Sequence, residues 1–123
     1  AAGARAAKPD DYLDRVAKYI PGETVALWAA IGGVIPTAPE SSRPILLWIS
    51  FGVGLVLTAF YIWTQVKEMG TNVAITQTAV STIAFAVWVF AIGGPFAELN
   101  WYHPTFGSFL LIIYSFAVGA IVP

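Results

Sequence analysis

The chain has 123 residues, 58% of them hydrophobic and only 11% charged, with a formal net charge of -1. No Lys/Arg run offers the counter-charge that phosphates need, which excludes a nucleic-acid partner, and the absence of cysteine removes disulfides, thiolate metal sites and thiol nucleophiles together. His103 is the single histidine and cannot build a histidine metal site within one subunit, so no metal or other cofactor is expected.

The mean hydropathy of +0.74 is carried by blocks of membrane-crossing length between Pro- and Gly-marked breaks. This predicts an all-α membrane protein: an N-terminal interfacial amphipathic helix followed by four transmembrane helices. Residues 1–9 read as a flexible lead-in. Over 10–20, Tyr12, Val16, Tyr19 and Ile20 share one helical face with Leu13 beside them, while Asp11, Asp14, Arg15 and Lys18 take the other. Acidic residues early and basic residues late suit the helix dipole, and such a helix is expected to lie in the membrane interface. Its mixed charge, with no A-x-A site after the apolar block that follows, is unlike a cleavable signal.

The transmembrane domain is then 21–123. Pro21, Gly22 and Glu23 open the first span, which runs to Ile35 and is short, at roughly 22 Å of helix. Residues 36–44 form a turn-rich loop with Glu40 and Arg43. The second span, Pro44–Val66, carries no formal charge and is long enough for the ~30 Å hydrocarbon layer. A tight connection at Met69–Asn72 leads to a third span, Val73–Ile92, which Gly93-Gly94-Pro95 ends. Phe96–Phe106 is an aromatic loop too polar to cross, and Gly107–Val122 is the fourth span.

Charge sets the orientation. Arg5, Lys8, Arg15, Lys18 and Lys67 lie on the amino-terminal side and Arg43 alone on the other, which puts both termini inside. Aromatic residues agree, with Tyr19, Tyr61 and Trp63 at the inner interface and Trp48, Trp88, Trp101 and Tyr102 at the outer. A bacterial inner membrane is the default host. Ala30-Ile31-Gly32-Gly33 and Ala91-Ile92-Gly93-Gly94 end the first and third spans, and Ser50–Gly54 resembles Ser115–Gly119, which suggests a duplicated helical hairpin against a background of chance matches in an Ala- and Gly-rich chain.

Lipid gives helices no hydrophobic drive to associate, so close packing must. Small residues at four-residue spacing supply it: Ala26 and Ala30, Ala29 and Gly33, Ser50 with Gly54 and Thr58, and Ser115 with Gly119. They are expected to pack helices within one subunit first and between subunits second. In the third span Thr71, Thr78 and Thr82 form a stripe flanked by Gln77 and Ser81. It serves either as hydrogen-bonding glue between helices or as a wetted pore wall, for which Phe85 and Val89 would be the hydrophobic gate.

Glu23 is the one acidic residue at the edge of an apolar block on its inner side, which raises an ion-binding role. Four spans with a glutamate in the first resemble the layout of small multidrug-resistance transporters. Their glutamate lies deep in the span, whereas Glu23 stands in the opening turn, so the family is not assigned. Glu98, Asn100, Tyr102 and His103 cluster on the outer loop, but nothing supplies a nucleophile or oxyanion hole beside them. The sequence reading is therefore a non-enzymatic, self-associating membrane protein. It would be a pore-like or membrane-anchoring homo-oligomer whose inner face docks a soluble or membrane protein partner. The alternatives are a small secondary transporter that uses Glu23 or the third-span polar face, and an accessory scaffold subunit of a larger membrane complex.

Overall fold

A computed structural model describes residues 9–121 of the protein. Residues 1–8 and 122–123, with Arg5, Lys8 and Val122 of the readings above, lie outside the described residues, as do the side chains of Asp10 and Glu98. Among the described residues there are five α-helices and no strand: α1 (Pro9–Ala17), α2 (Gly22–Val34), α3 (Arg43–Val66), α4 (Thr71–Ile92) and α5 (Pro104–Ile121). Short 3-10 turns follow α2 and α3, precede α3 and follow α4.

The breaks have local causes. Pro21 holds the residue before it out of the helical region, so α1 closes in a turn over Lys18–Ile20 rather than running to Ile20. Its carbonyl then accepts the first bonds of α2, from the N–H groups of Thr24 and Val25 at 3.0 and 3.2 Å. Between α3 and α4 the chain reverses at Gly70, whose φ of 116° an L side chain rarely tolerates. Arg43 braces the α2–α3 loop by donating from Nη2 to the Pro36 carbonyl at 2.8 Å and from Nε to the Ala38 carbonyl at 3.1 Å.

Two stretches are long and apolar enough to cross a membrane: Glu40–Met69, which contains α3, and Thr71–Ala97, which contains α4. The 24 residues of α3 extend about 36 Å. Pro104–Ala120 is apolar but shorter, and α2 has 13 residues.

α4 lies at the centre. α3 and α5 flank it, α1 packs across α4 and α5, and α2 leans on α3. Val16 and Ile20 of the N-terminal segment join Ala84, Phe85, Val87, Val89 and Leu111 in one core cluster. The apolar face of α1 is thus taken up by protein, with Asp11, Asp14, Arg15 and Lys18 turned outward. The interfacial setting expected for this face is modified accordingly, because Val16 and Ile20 are only 0% and 5% exposed.

Candidate functional site

The close approach of α3 and α4 is the geometric basis of the site. Gly54 is buried, and a Cβ there would lie 2.4 Å from Cζ of Phe85. That ring is held between Trp28 of α2 and Phe51 of α3, at centroid distances of 5.8 and 5.9 Å. From this contact the antiparallel pair continues inward, with the Thr58 turn of α3 level with the Thr78–Thr82 turn of α4. Thr58 is fully buried and donates its hydroxyl hydrogen to Thr24 Oγ1 at 3.2 Å, which ties the first turn of α2 to α3. Ser81 is buried as well. Hydroxyl-bearing residues from α2, α3 and α4 therefore share one level of the bundle, inward of Phe85.

The third-span stripe divides within this frame. Thr71 is exposed at the start of α4, Gln77 is half-buried, and Thr78, Ser81 and Thr82 are turned into the bundle. The hydroxyls of Thr78 and Thr82 are buried and have no hydrogen-bond partner. The residues read as a gate do not stand on an outward face. Phe85 and Val89 are both 0% exposed, inside the core of a single chain, with the Phe85 ring clasped by Trp28 of α2 and Phe51 of α3. A pore along an axis between subunits has no lining from these two side chains in this arrangement.

Glu23 is exposed at the opening of α2. With Thr24, Leu27, Leu57, Phe60 and Tyr61 it borders a small recess of about 180 Å³, where the Tyr61 hydroxyl is within hydrogen-bonding reach of its carboxylate. Among the described residues no three of His, Asp or Glu converge on a point where a metal could sit.

The small residues differ by helix. On α3, Gly54 is buried against Phe85, and the half-buried Ser50 returns its hydroxyl to the Leu46 carbonyl at 2.7 Å. On α2, Ala26, Ala29, Ala30 and Gly33 are exposed within the chain. On α5, Gly119 meets open space, and Ser115 has a buried hydroxyl without a partner.

Four sets of contacts escape the sequence reading. Gly107 brings α5 so close to α4 that a Cβ would lie 2.7 Å from the Cα of Ala91. Its only sequence signal is a glycine three residues into a helix that Pro104 starts. Tyr102 donates to the Phe90 carbonyl at 2.6 Å, an acceptor it shares with the Gly93 N–H at 3.3 Å, and so adds a second bond at the end of α4; burial holds its phenol above the usual tyrosine pKa. His103 Nδ1 accepts the Thr105 N–H at 3.2 Å, a cap on the first turn of α5. Phe96 folds the loop back into the bundle, with ring centroids 5.1–5.3 Å from Phe90, Trp48 and Phe51.

No protein-family model, curated protein or solved structure matches the chain. Function must be argued from the molecule's own chemistry.

Proposed function

We propose that this chain is a non-enzymatic integral membrane protein of four spans, α2 to α5, which self-associates as an anchoring or scaffold subunit. The polar face of α4 then serves as an internal seam between helices. One observation carries the reading: large apolar side chains cover the outside while hydroxyls are buried between the helices. Thr24, Thr58 and Ser81 are 0–4% exposed, while Phe116 is 83%, Val56 and Phe60 68% and Phe109 65% exposed. Water would penalise such a surface heavily, whereas hydrocarbon accepts it and drives hydroxyls to bond between helices. The exposed small-residue face of α2, at Ala26, Ala30 and Gly33, is the surface offered to a second copy. Charge places the end with Lys18 and Lys67 inside, with α1 on that side as the surface for a soluble partner.

The lack of native cysteine makes the topology directly testable. Single cysteines at Ser41, Glu68 and Asn100, all but Glu68 on outer loops in this reading, are reacted with an impermeant maleimide in intact cells. Labelling of Ser41→Cys and Asn100→Cys, with Glu68→Cys reached only after permeabilisation, supports four spans. Equal labelling of all three refutes them. Native mass spectrometry of the protein in nanodiscs reads self-association, and a strict monomer would refute that part alone.

A second reading has its own support. The hydroxyls of Thr78 and Thr82, unpartnered among the described residues, suit a water-filled seam within one bundle, and Glu23 offers an exposed carboxylate in a separate recess at the start of α2. Ion-coupled uptake lost in Glu23→Gln, with folding intact, would favour this transporter reading.

A further inference from the structure

A groove lies between α1 and α5, at the end of the bundle that carries Lys67. It has a volume of about 640 Å³. One rim is basic and aromatic: Arg15 and Lys18 stand on it, with the Arg15 guanidinium 5.1 Å above the Tyr12 ring. The floor is a face of α5 formed by Ile112, Phe116 and Gly119. No carboxylate is among the residues that line the groove.

Its shape has a sequence cause. Val16 and Ile20 insert into the core and fix α1 along α4 and α5. Gly119 then presents no side chain where α1 passes, and a Cβ there would touch nothing within 4 Å. Ser115, one turn before, carries a buried hydroxyl that no group among the described residues satisfies. Below the rim, Phe116 and Ile112 remain 83% and 44% exposed. The groove therefore joins two cations to an apolar floor over the length of about two helical turns, a polarity that neither water nor hydrocarbon alone matches.

We propose that this groove binds an anionic phospholipid of the inner leaflet, its phosphate held by Arg15 and Lys18 and its acyl chain laid along Phe116 and Ile112 over the gap at Gly119. Basic recesses between helices on the inner side of a membrane are suited to such headgroups. The volume is that of a built ligand site rather than a surface dimple. The proposal rests on the four-span reading, with α1 on the inner side. Lipid so bound would bridge α1 to α5 and hold the N-terminal helix against the bundle.

The test uses the full chain reconstituted in phosphatidylcholine vesicles doped with phosphatidylglycerol. Flotation first shows whether the protein enters the bilayer, and native mass spectrometry then counts retained lipids. The wild type is expected to retain phosphatidylglycerol in preference to phosphatidylcholine. Arg15→Gln and Lys18→Gln should each reduce that retention about fivefold, and together about thirtyfold. Lys67→Gln, a cation at the same end but outside the groove, should leave it unchanged. Gly119→Leu fills open space, so the fold survives, and it should displace the lipid with both cations in place.

Equal retention of the two lipids, or an equal loss in Lys67→Gln, would reduce the effect to general surface charge and overturn the proposal. A dimer that Gly119→Leu disrupts would assign the groove to a second copy of the chain, again overturning it. Failure to float would reject the membrane reading itself, a result distinct from floating without lipid preference.

Discussion

α3 and α4 are near equals in length and both are apolar enough to cross a membrane, yet they are buried very differently. In the most apolar window of the stretch containing α3 only 11% is buried, against 44% for α4, although α3 is the more hydropathic of the two. Apolarity alone does not set burial here: α4 buries Val80, Phe85, Val87 and Val89 beside its small residues, whereas most large apolar residues of α3 stay outside. α4 offers Ala74 and Ala84, both fully buried, and the buried Ser81 to the helices around it. α3 turns Gly54 and Thr58 inward and leaves Ile45, Ile49, Val53, Val56 and Phe60 outside. In water the more apolar helix would take the centre. In the membrane reading proposed above, its exclusion is what packing without a hydrophobic drive produces, since apolar bulk gains nothing by leaving lipid and small residues gain close contact.

The sharpest way to break this contrast is to delete one phenylalanine from each helix. Phe85→Ala removes a fully buried ring from between Trp28 and Phe51 and is expected to cost about 3–5 kcal/mol. Phe60→Ala, at a ring 68% exposed, should stay within about 0.5 kcal/mol. Reversible unfolding in mixed micelles measures both. A large cost for Phe60→Ala would mean that the outer face of α3 is covered by another copy, and the contrast would then describe the subunit but not the assembly.

Glycine substitutions come next. Gly107→Ala drives a methyl group against the backbone of Ala91, which cannot rotate away, and Gly54→Ala meets a ring already clasped on both sides. Each is expected to cost about 1–3 kcal/mol through overpacking. Gly119→Ala, with open space at its Cβ, should be neutral or slightly stabilising. Helix contact and not glycine content would then explain the order. A destabilised Gly119→Ala would show that α1 lies closer to α5 than this structure places it.

These residues also mark how far the sequence can be read. Helices α2 to α5 appear within a few residues of their expected bounds, because prolines and glycines interrupt strongly apolar runs. Pro21 and Gly70 are the clearest examples. The spacing of Ser50, Gly54 and Thr58 identifies the inward face of α3. The same rule applied to Ala26, Ala30 and Gly33 selects residues that are exposed, since spacing does not reveal which faces meet. Gly107 and the groove beneath Arg15 depend on how helices distant in sequence approach one another. Phe85 and Val89 sit on the same helical stripe whether it faces a pore or a core, and periodicity alone cannot separate the two.

A smaller effect tests the buried hydroxyl level. Thr58→Val keeps the side-chain shape but leaves Thr24 Oγ1 without its donor, at an expected cost of about 1 kcal/mol. Thr24→Val with Thr58→Val should recover most of it, because neither position then holds an unpaired polar atom. If the double variant is as unstable as the sum of the two single ones, the hydrogen bond contributes little and α2 is held by other contacts.

The change at Thr78 and Thr82 is the most informative about mechanism. Thr78 and Thr82 carry buried hydroxyls with no hydrogen-bond partner among the described residues, whereas the Thr58 hydroxyl is paired. Valine at both positions removes those groups at constant shape. If the seam is dry, the double variant should be stabilised by up to about 2 kcal/mol, because two unsatisfied groups disappear. If ordered water fills the seam, the same replacement displaces it and stability should fall instead. The sign is thus decisive where the magnitude is modest. A gain in stability assigns the α4 stripe to helix packing, and a loss that coincides with lost solute flux through proteoliposomes assigns it to a wetted path.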